Sequence, residues 1–325
     1  MYNMLLSIVL PVYNVERFLG ECLRSIYSQC SNRIDFEVVA VDDCSPDKSY
    51  KILDKYKEDY SNFKVIKHQE NKGLGAARNT GFRNIQGEYV WFIDSDDIIP
   101  LNAFSIIEKY LQEDCLDILM FQVQTMESNG KKMEYYANFP YETDIISGLD
   151  FLNSKVIPHW KKPVTAWSRI QRVDFLKENN FCYPEGVFFE DEELNLKELI
   201  ACKRMRYVTQ CCYYYRVNDS SIMRTKMTPK KFVDKVSVFL RCLKVVDNNS
   251  RLYPELINII VPTHLSVLRQ MAREYKKMND EERNQSKRLL KNLDCSVLNK
   301  YKKFSIKYLL YSHPNLFDKL LWIIK

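Results

Sequence analysis

Leu5-Leu6-Ser7-Ile8-Val9-Leu10-Pro11-Val12 is the stretch on which the fold turns. It is apolar, has no basic leader or small-residue cleavage site, and is cut short by Pro11, so it reads as a first β-strand and not as a signal peptide. After Asn14 the apolar positions Leu19, Leu23, Ile26 and Tyr27 recur at helical spacing. A second apolar run, Val38-Val39-Ala40-Val41, ends at Asp42-Asp43, and a helical stretch with Ile52, Leu53 and Tyr56 leads to a third strand over 63–67. A helix near 75–85 precedes a strand at 88–93 that ends in Asp94-Ser95-Asp96-Asp97; a helix over 101–112 and a strand over 117–123 follow. Apolar strands alternating with amphipathic helices imply a mostly parallel α/β sheet covered on both faces. In such sheets ligands bind outside the carboxyl ends of the strands.

The pattern weakens between 125 and 165, where Asn129-Gly130 marks a hairpin turn. Helices near 172–180 and 191–202 and aromatic strand material at 205–217 complete a first domain, residues 1–228. Thr228-Pro229 reads as an N-cap followed by Pro at the first helical position, which opens a second, helical region over 229–325. Charge separates the two parts: residues 226–325 carry 21 Lys and Arg against 9 Asp and Glu, whereas residues 1–225 carry 27 against 33. The basic appendage suits an anionic surface, for which a membrane leaflet is preferred here to nucleic acid; a solvated helical face is the alternative.

Composition bounds the class. With 46% hydrophobic and 28% charged residues and only eight glycines, the chain is neither disordered nor collagen-like. Ten cysteines without a C-x-x-C pair read as buried thiols of a reducing compartment. No stretch reaches about 18 uninterrupted apolar residues, which predicts a cytoplasmic chain without a membrane span.

Four constellations carry chemistry. In an extended segment Asp94 and Asp96 point to one side, and two like charges so close call for a hard cation, Mg²⁺ or Mn²⁺; a turn or helix N-cap is the alternative. Asp42-Asp43 ends the second strand beside the same crevice, where a carboxylate accepts a hydrogen bond from a pyrimidine N–H or a ribose hydroxyl, or else forms an Asx turn. Asn71-Lys72-Gly73-Leu74-Gly75-Ala76-Ala77-Arg78-Asn79 is a glycine-bearing loop that runs into a helix and suits a diphosphate. It is not a dinucleotide fingerprint, because it does not follow the first strand. Glu190-Asp191-Glu192-Glu193 places carboxylates where a loop becomes a helix, as a general base requires and as an ordinary acidic helix start also does.

Ser7 to Asn14, Val41-Asp42-Asp43-Cys44-Ser45-Pro46-Asp47, Asn71 to Gly81, Tyr89 to Asp97, Ala166-Trp167-Ser168-Arg169 and Pro184 to Leu194 resemble, in order, family 2 glycosyltransferases with the Rossmann-like GT-A fold. Tyr215-Arg216 followed by Ser221-Ile222-Met223 is similar to the bacterial capsule and exopolysaccharide branch. The resemblance implies that Pro11, Val12 and Tyr13 cradle the nucleoside of a nucleotide-sugar, that Asp43 reads its uracil ring with Asp42 beside it, and that Arg78 lies near base and diphosphate. It makes Asp94-Ser95-Asp96 the D-x-D motif, with Asp94 nearer the ribose and Asp96 the direct ligand of Mn²⁺ or Mg²⁺. Asp191 matches the general base and Glu190 its neighbour. The implied reaction is one in-line displacement that inverts the anomeric carbon and moves a sugar from a UDP-sugar to a saccharide or lipid-linked saccharide in surface polysaccharide synthesis. Two departures stand out: Ser168-Arg169 replaces a common Asn-Lys, and Cys44 replaces a glycine, which opens that turn to a different geometry.

Two other readings stay open on sequence alone. An inactive nucleotide-sugar-binding subunit would not need Asp96 and Asp191 together, and a nucleotidyltransferase would carry a basic glycine-rich loop directly after the first strand. Residues 301–311 and 316–325 place bulky apolar side chains at helical spacing beside lysines, which suits a peripheral helix on the inner face of a membrane or a helix covering the protein.

Overall fold

The structure is a computed structural model that describes residues 4–29, 34–127, 132–135, 141–154, 165–217, 225–249, 273–294 and 296–297. It divides into two compact units, residues 1–186 with 197–224 and residues 187–196 with 225–325. This differs from a break at 228/229: the segment Val187–Leu196 clusters with the C-terminal part.

The first unit is built on one sheet. Strands β1 (Met4–Val12), β2 (Ile34–Asp42), β3 (Phe63–Lys67) and β4 (Tyr89–Phe92) are parallel, in the order β3-β2-β1-β4. β1 therefore has its sequence successors on one side and β4 on the other, and that reversal of strand order opens a crevice at the carboxyl ends. Leu6, Ile8, Leu10 and Val12 alternate toward a core shared with Leu19, Leu23 and Ile26 of helix α1 (Glu16–Tyr27). On the opposite face Val9 meets helix α3 (Leu74–Phe82) at Gly81, where an added Cβ would lie 2.3 Å from Val9 Cγ1. Only glycine allows α3 to sit that close to β1. Helix α2 (Ser49–Asp59) links β2 to β3. Pro11 is tolerated inside β1 for a reason of register. The Val9 carbonyl accepts the Ile93 N–H, so Pro11 two residues on directs its ring nitrogen to the same side, where β4 has already ended.

Helix α4 (Ala103–Asp114), strand β5 (Ile118–Glu127) and the short β6 (Lys132–Tyr135) come next, β5 and β6 pairing antiparallel around the expected hairpin turn, whose residues 128–131 lie outside the described ones. After helix α5 (Gly148–Asn153), strand β7 (Arg169–Arg172) runs antiparallel between β4 and β5 and is followed by helix α6 (Val173–Glu178). The sequence reading has no strand at β7, since Arg-Ile-Gln-Arg carries no apolar alternation. Its fully buried Arg169 instead pairs at 2.9 Å with Glu198, itself buried in helix α7 (Glu190–Ala201). Burial pushes the Glu198 carboxyl up, opposed by the positive charge of Arg169. The arginine whose role the motif left open is thus half of a buried ion pair that holds β7 in the sheet. Strand β8 (Met205–Val217) completes the sheet, parallel to β5.

The described part of the second unit contains the start of α7, helix α8 (Pro229–Asn249) and helix α9 (Asp280–Leu290). Thr228 caps α8 as expected, its hydroxyl accepting the Lys231 N–H at 3.2 Å with Pro229 in the first turn. Phe232, Val236, Phe239, Leu243 and Val246 form the buried stripe of α8. No helix among the described residues is long and apolar enough to cross a membrane. Ser221-Ile222-Met223 and the amphipathic stretch 301–325 lie outside the described residues.

Candidate functional site

The crevice of the first unit gathers Pro11, Val12, Tyr13, Asp42, Asp43, Arg78 and the turn Asp94–Asp97. Pro11 and Val12 are buried at the end of β1, whereas the Tyr13 ring is 47% exposed. The Val12 carbonyl accepts the Asp43 N–H at 2.9 Å, so the strand end and the turn after β2 are tied together.

The two adjacent aspartates do different work. Asp42 Oδ1 accepts the Ser45 N–H at 2.9 Å, three residues on, and so closes the turn after β2. The buried Asp43 carboxylate is more fully engaged: its Oδ1 meets His68 Nδ1 at 2.6 Å and accepts the Lys72 N–H at 2.9 Å, while Oδ2 accepts the Gly73 N–H at 2.8 Å. Asp43 therefore clamps the glycine loop to the sheet. Gly73 makes the clamp geometrically possible, since its φ of 88° is one that other residues rarely adopt. Downstream in the first turn, Asp47 Oδ2 accepts the Glu16 N–H at 2.8 Å and Oδ1 the Ser49 N–H at 3.0 Å, capping α1 from a distance in sequence. Burial raises the Asp47 carboxyl, but these hydrogen bonds outweigh it and hold the group below its ordinary value. Cys44, where relatives carry a glycine, adopts a left-handed backbone with φ 60°, at a cost on the order of 1 kcal/mol.

The acidic motif itself is a turn and not an extended segment. β4 ends at Phe92, and the Asp97 N–H donates to the Asp94 carbonyl at 3.1 Å. The side-to-side geometry of a strand therefore does not hold for Asp94 and Asp96, because aspartate and serine favour closing a turn over continuing a strand. Both aspartates are partly exposed, with Ser95 buried between them. Asp94 Oδ1 pairs with the buried Arg78 at 2.9 Å, and the Arg78 guanidinium lies 5.2 Å from the Tyr183 ring centre. Arg78 thus neutralises one arm of the turn.

What fixes the turn was not legible as a site. Asp97 is fully buried; its Oδ2 accepts the Tyr213 hydroxyl at 2.7 Å and its Oδ1 the Arg216 N–H at 2.6 Å. The Asp94 N–H donates to the same Tyr213 oxygen at 3.1 Å, and Arg216 Nε donates to the Asp96 carbonyl at 2.9 Å. Burial, then the negative Asp96 and Asp94, push the Asp97 carboxyl well above its ordinary value, against the two hydrogen bonds. The Tyr213 ring stacks on Trp167 at 4.9 Å, and the Trp167 carbonyl accepts the Trp91 indole N–H at 2.9 Å. Hence Ala166-Trp167-Ser168 supports the acidic turn from below. Tyr215-Arg216 was the sequence signal for this support, though nothing local tied it to Asp97.

The expected general base falls in the second unit. Glu190 is buried, Asp191 is half-buried, and both stand in the first turn of α7 beside Glu192 and Glu193. Among the described residues no group of three or more His, Cys, Asp or Glu forms a closed metal cage. Mg²⁺ and Mn²⁺ do not need one, since one or two carboxylates plus substrate phosphates complete their shells. The partly exposed Asp94 and Asp96 fit that donor set.

The Glycosyl transferase family 2 profile matches residues 7–179. The chain is similar to the poly(ribitol-phosphate) beta-glucosyltransferase of Bacillus spizizenii, with 28% identity over 86% of this chain and 43% of the relative. It is also similar to glycosyltransferase GlyG of Streptococcus pneumoniae serotype 4, with 30% identity over 72% of this chain and 78% of the relative. Among solved structures, Staphylococcus aureus TarS superposes with a TM-score of 0.69 at 25% identity, covering 90% of this chain and 50% of TarS. The chain spans less than half the length of the first of these relatives and half that of TarS. With the parallel β3-β2-β1-β4 sheet, the acidic turn after β4 and a profile match across more than half its length, this chain belongs to glycosyl transferase family 2 and has the GT-A fold.

Proposed function

We propose that this chain moves a sugar from a UDP-sugar to an acceptor hydroxyl, with inversion, in the synthesis of a bacterial surface polysaccharide. The observation that carries the reading is the convergence of Asp42, Arg78 and the Asp94–Asp97 turn at the carboxyl ends of β1, β2 and β4, the place where parallel sheets bind nucleotides. The relatives' names, a glucosyltransferase and the N-acetylglucosaminyltransferase TarS acting on poly(ribitol-phosphate), support both the reaction class and a cell-surface polymer as acceptor.

Each residue then has a task. The exposed Tyr13 ring stacks on the base. Asp43, tied by His68 and the Lys72 and Gly73 amides, holds the loop and turns its remaining acceptor capacity to the uracil ring, with Asp42 beside it. Asp96, with Asp94, would hold Mn²⁺ or Mg²⁺, and the ion supplies charge neutralisation for the departing diphosphate. Arg78 keeps Asp94 oriented and adds positive charge near the phosphates. Asp191 removes the proton of the attacking hydroxyl, with Glu190 as its neighbour. The basic stretch 301–325 is proposed to bring the enzyme to lipid-linked acceptor on the inner membrane face.

A screen of UDP-sugars for UDP release with Mn²⁺, with and without small saccharide acceptors, tests the activity. Turnover of at least one donor, inverted at the anomeric carbon by NMR, is the expected result. Absence of both UDP binding by calorimetry and turnover would overturn it.

A further inference from the structure

The second unit contains a device that the catalytic motif does not explain. Directly before α7 the backbone passes through Phe188-Phe189, and Phe189 has φ 62°, a left-handed conformation that is costly for a bulky residue. Such strain persists only where surrounding structure over-determines it. Here helix α8 provides that structure. Asp234 Oδ2 accepts the Phe188 N–H at 3.0 Å and is itself paired with Lys230 at 2.6 Å, and the Lys230 ammonium lies 5.4 Å from the Phe188 ring centre. Lys235 is placed 4.2 Å from the centre of the Phe189 ring and at the same time forms a close ion pair with Glu192. One turn and a half further on, Arg241 Nε donates to Glu193 Oε2 at 2.6 Å and its Nη1 to Ser237 Oγ at 2.7 Å.

Four consecutive carboxylates at a helix start repel one another, and the helix dipole offsets only part of that. Two of the four, Glu192 and Glu193, are met by fixed cations on α8, and the strained turn that leads into them is held by the same helix. Residue 191 lies between the held turn and the two neutralised glutamates. Its backbone is therefore fixed from both sides.

We propose that Asp234, Lys235 and Arg241 of α8 are positioning residues for the reaction: they hold the Phe188–Phe189 turn and the flanking glutamates so that Asp191 is presented in one conformation. The proposal rests on Asp191 as the base. It makes the C-terminal helical region part of the catalytic apparatus and not an accessory to it. The reason is geometric, since displacement of a reacting group by about 1 Å costs roughly 100-fold in rate.

The test compares Lys235→Met, Lys235→Arg, Phe189→Gly and Asp191→Asn in the full chain. Lys235→Met is expected to lower kcat roughly 10- to 100-fold with KM for the donor and UDP affinity unchanged, and Lys235→Arg to recover most of it. Phe189→Gly removes both the strain and the ring contact. If the turn were only structural, this variant would be at least as stable and fully active; the proposal requires a lower kcat without loss of stability. Hydrogen exchange reads the same device without any donor: amides 188–193 should lose protection in Lys235→Met while those of β1 and β4 keep theirs. Unchanged protection, or wild-type kcat in Lys235→Met alongside an inactive Asp191→Asn, overturns the positioning role and leaves the base in place. Full activity of Asp191→Asn overturns the base itself.

Discussion

Two runs of four residues, Asp94-Ser95-Asp96-Asp97 and Glu190-Asp191-Glu192-Glu193, look alike as sequence and are handled in opposite ways. In the turn, the most buried carboxylate, Asp97, is met by a hydroxyl and a backbone N–H, and Arg78 reaches one of the two outer carboxylates. At the helix start, Glu192 and Glu193 are met by the ammonium and guanidinium of α8. In the turn a hydroxyl and a backbone N–H fix the geometry of Asp97, and Arg78 offsets the charge of Asp94. At the helix start, fixed cations offset the charge of Glu192 and Glu193. The comparison teaches that an acidic cluster is read by what opposes it.

The largest expected effects separate the two runs by kinetics. Asp191→Asn should lose about 100- to 10,000-fold in turnover while UDP affinity stays the same, because a group acting only on the acceptor proton contributes to the transition state. Asp96→Ala should lose roughly 100-fold or more in turnover and, in addition, the increase in UDP affinity that Mn²⁺ produces. Calorimetric titration of UDP into both variants, with and without Mn²⁺, distinguishes them; identical behaviour would break the comparison.

A smaller effect probes how the turn is held. Tyr213→Phe removes the hydroxyl shared by Asp97 and the Asp94 N–H, and leaving buried polar groups unmet should cost about 1–3 kcal/mol in urea unfolding. A loss below about 0.5 kcal/mol would mean that Arg216 and the Trp167 stack carry the turn without the hydroxyl.

The smallest effect concerns Asp47, a third carboxylate, which is met by one backbone N–H at the start of α1 and one at the start of α2. Its folded value lies below the ordinary one, so its contribution to stability is complete above the unfolded value of about 3.9 and is lost as pH falls through the lower folded value. Asp47→Asn should therefore be less stable than wild type at pH 6, with the difference shrinking in denaturation curves taken from pH 5 down to pH 2. A difference that grows on acidification would show the sign to be wrong.

Much of the first unit was legible because its signals are local. The apolar runs at β1 and β2 and the helical spacing of Leu19, Leu23 and Ile26 need no partner to be recognised, and the observed elements follow them within a few residues. β7 was not legible, because its stability comes from Arg169 meeting Glu198, a pair 29 positions apart, and not from alternation within the strand. The Cys44 turn was open on sequence grounds, and its backbone is left-handed, with φ 60°.

Strand and helix periodicity and turn chemistry act over a few residues, so the α/β class, the order of the motifs and the candidate residues at their ends can be read from the chain. What each carboxylate faces is set by the folded arrangement. That Asp43 clamps the glycine loop through His68, Lys72 and Gly73, that Asp97 rests on Tyr213 and Arg216 more than 100 residues away, and that Glu192 and Glu193 are balanced by α8 depends on which elements fold against one another. Hydrogen bonds and ion pairs act over a few ångströms of space, and separation along the chain carries no record of them.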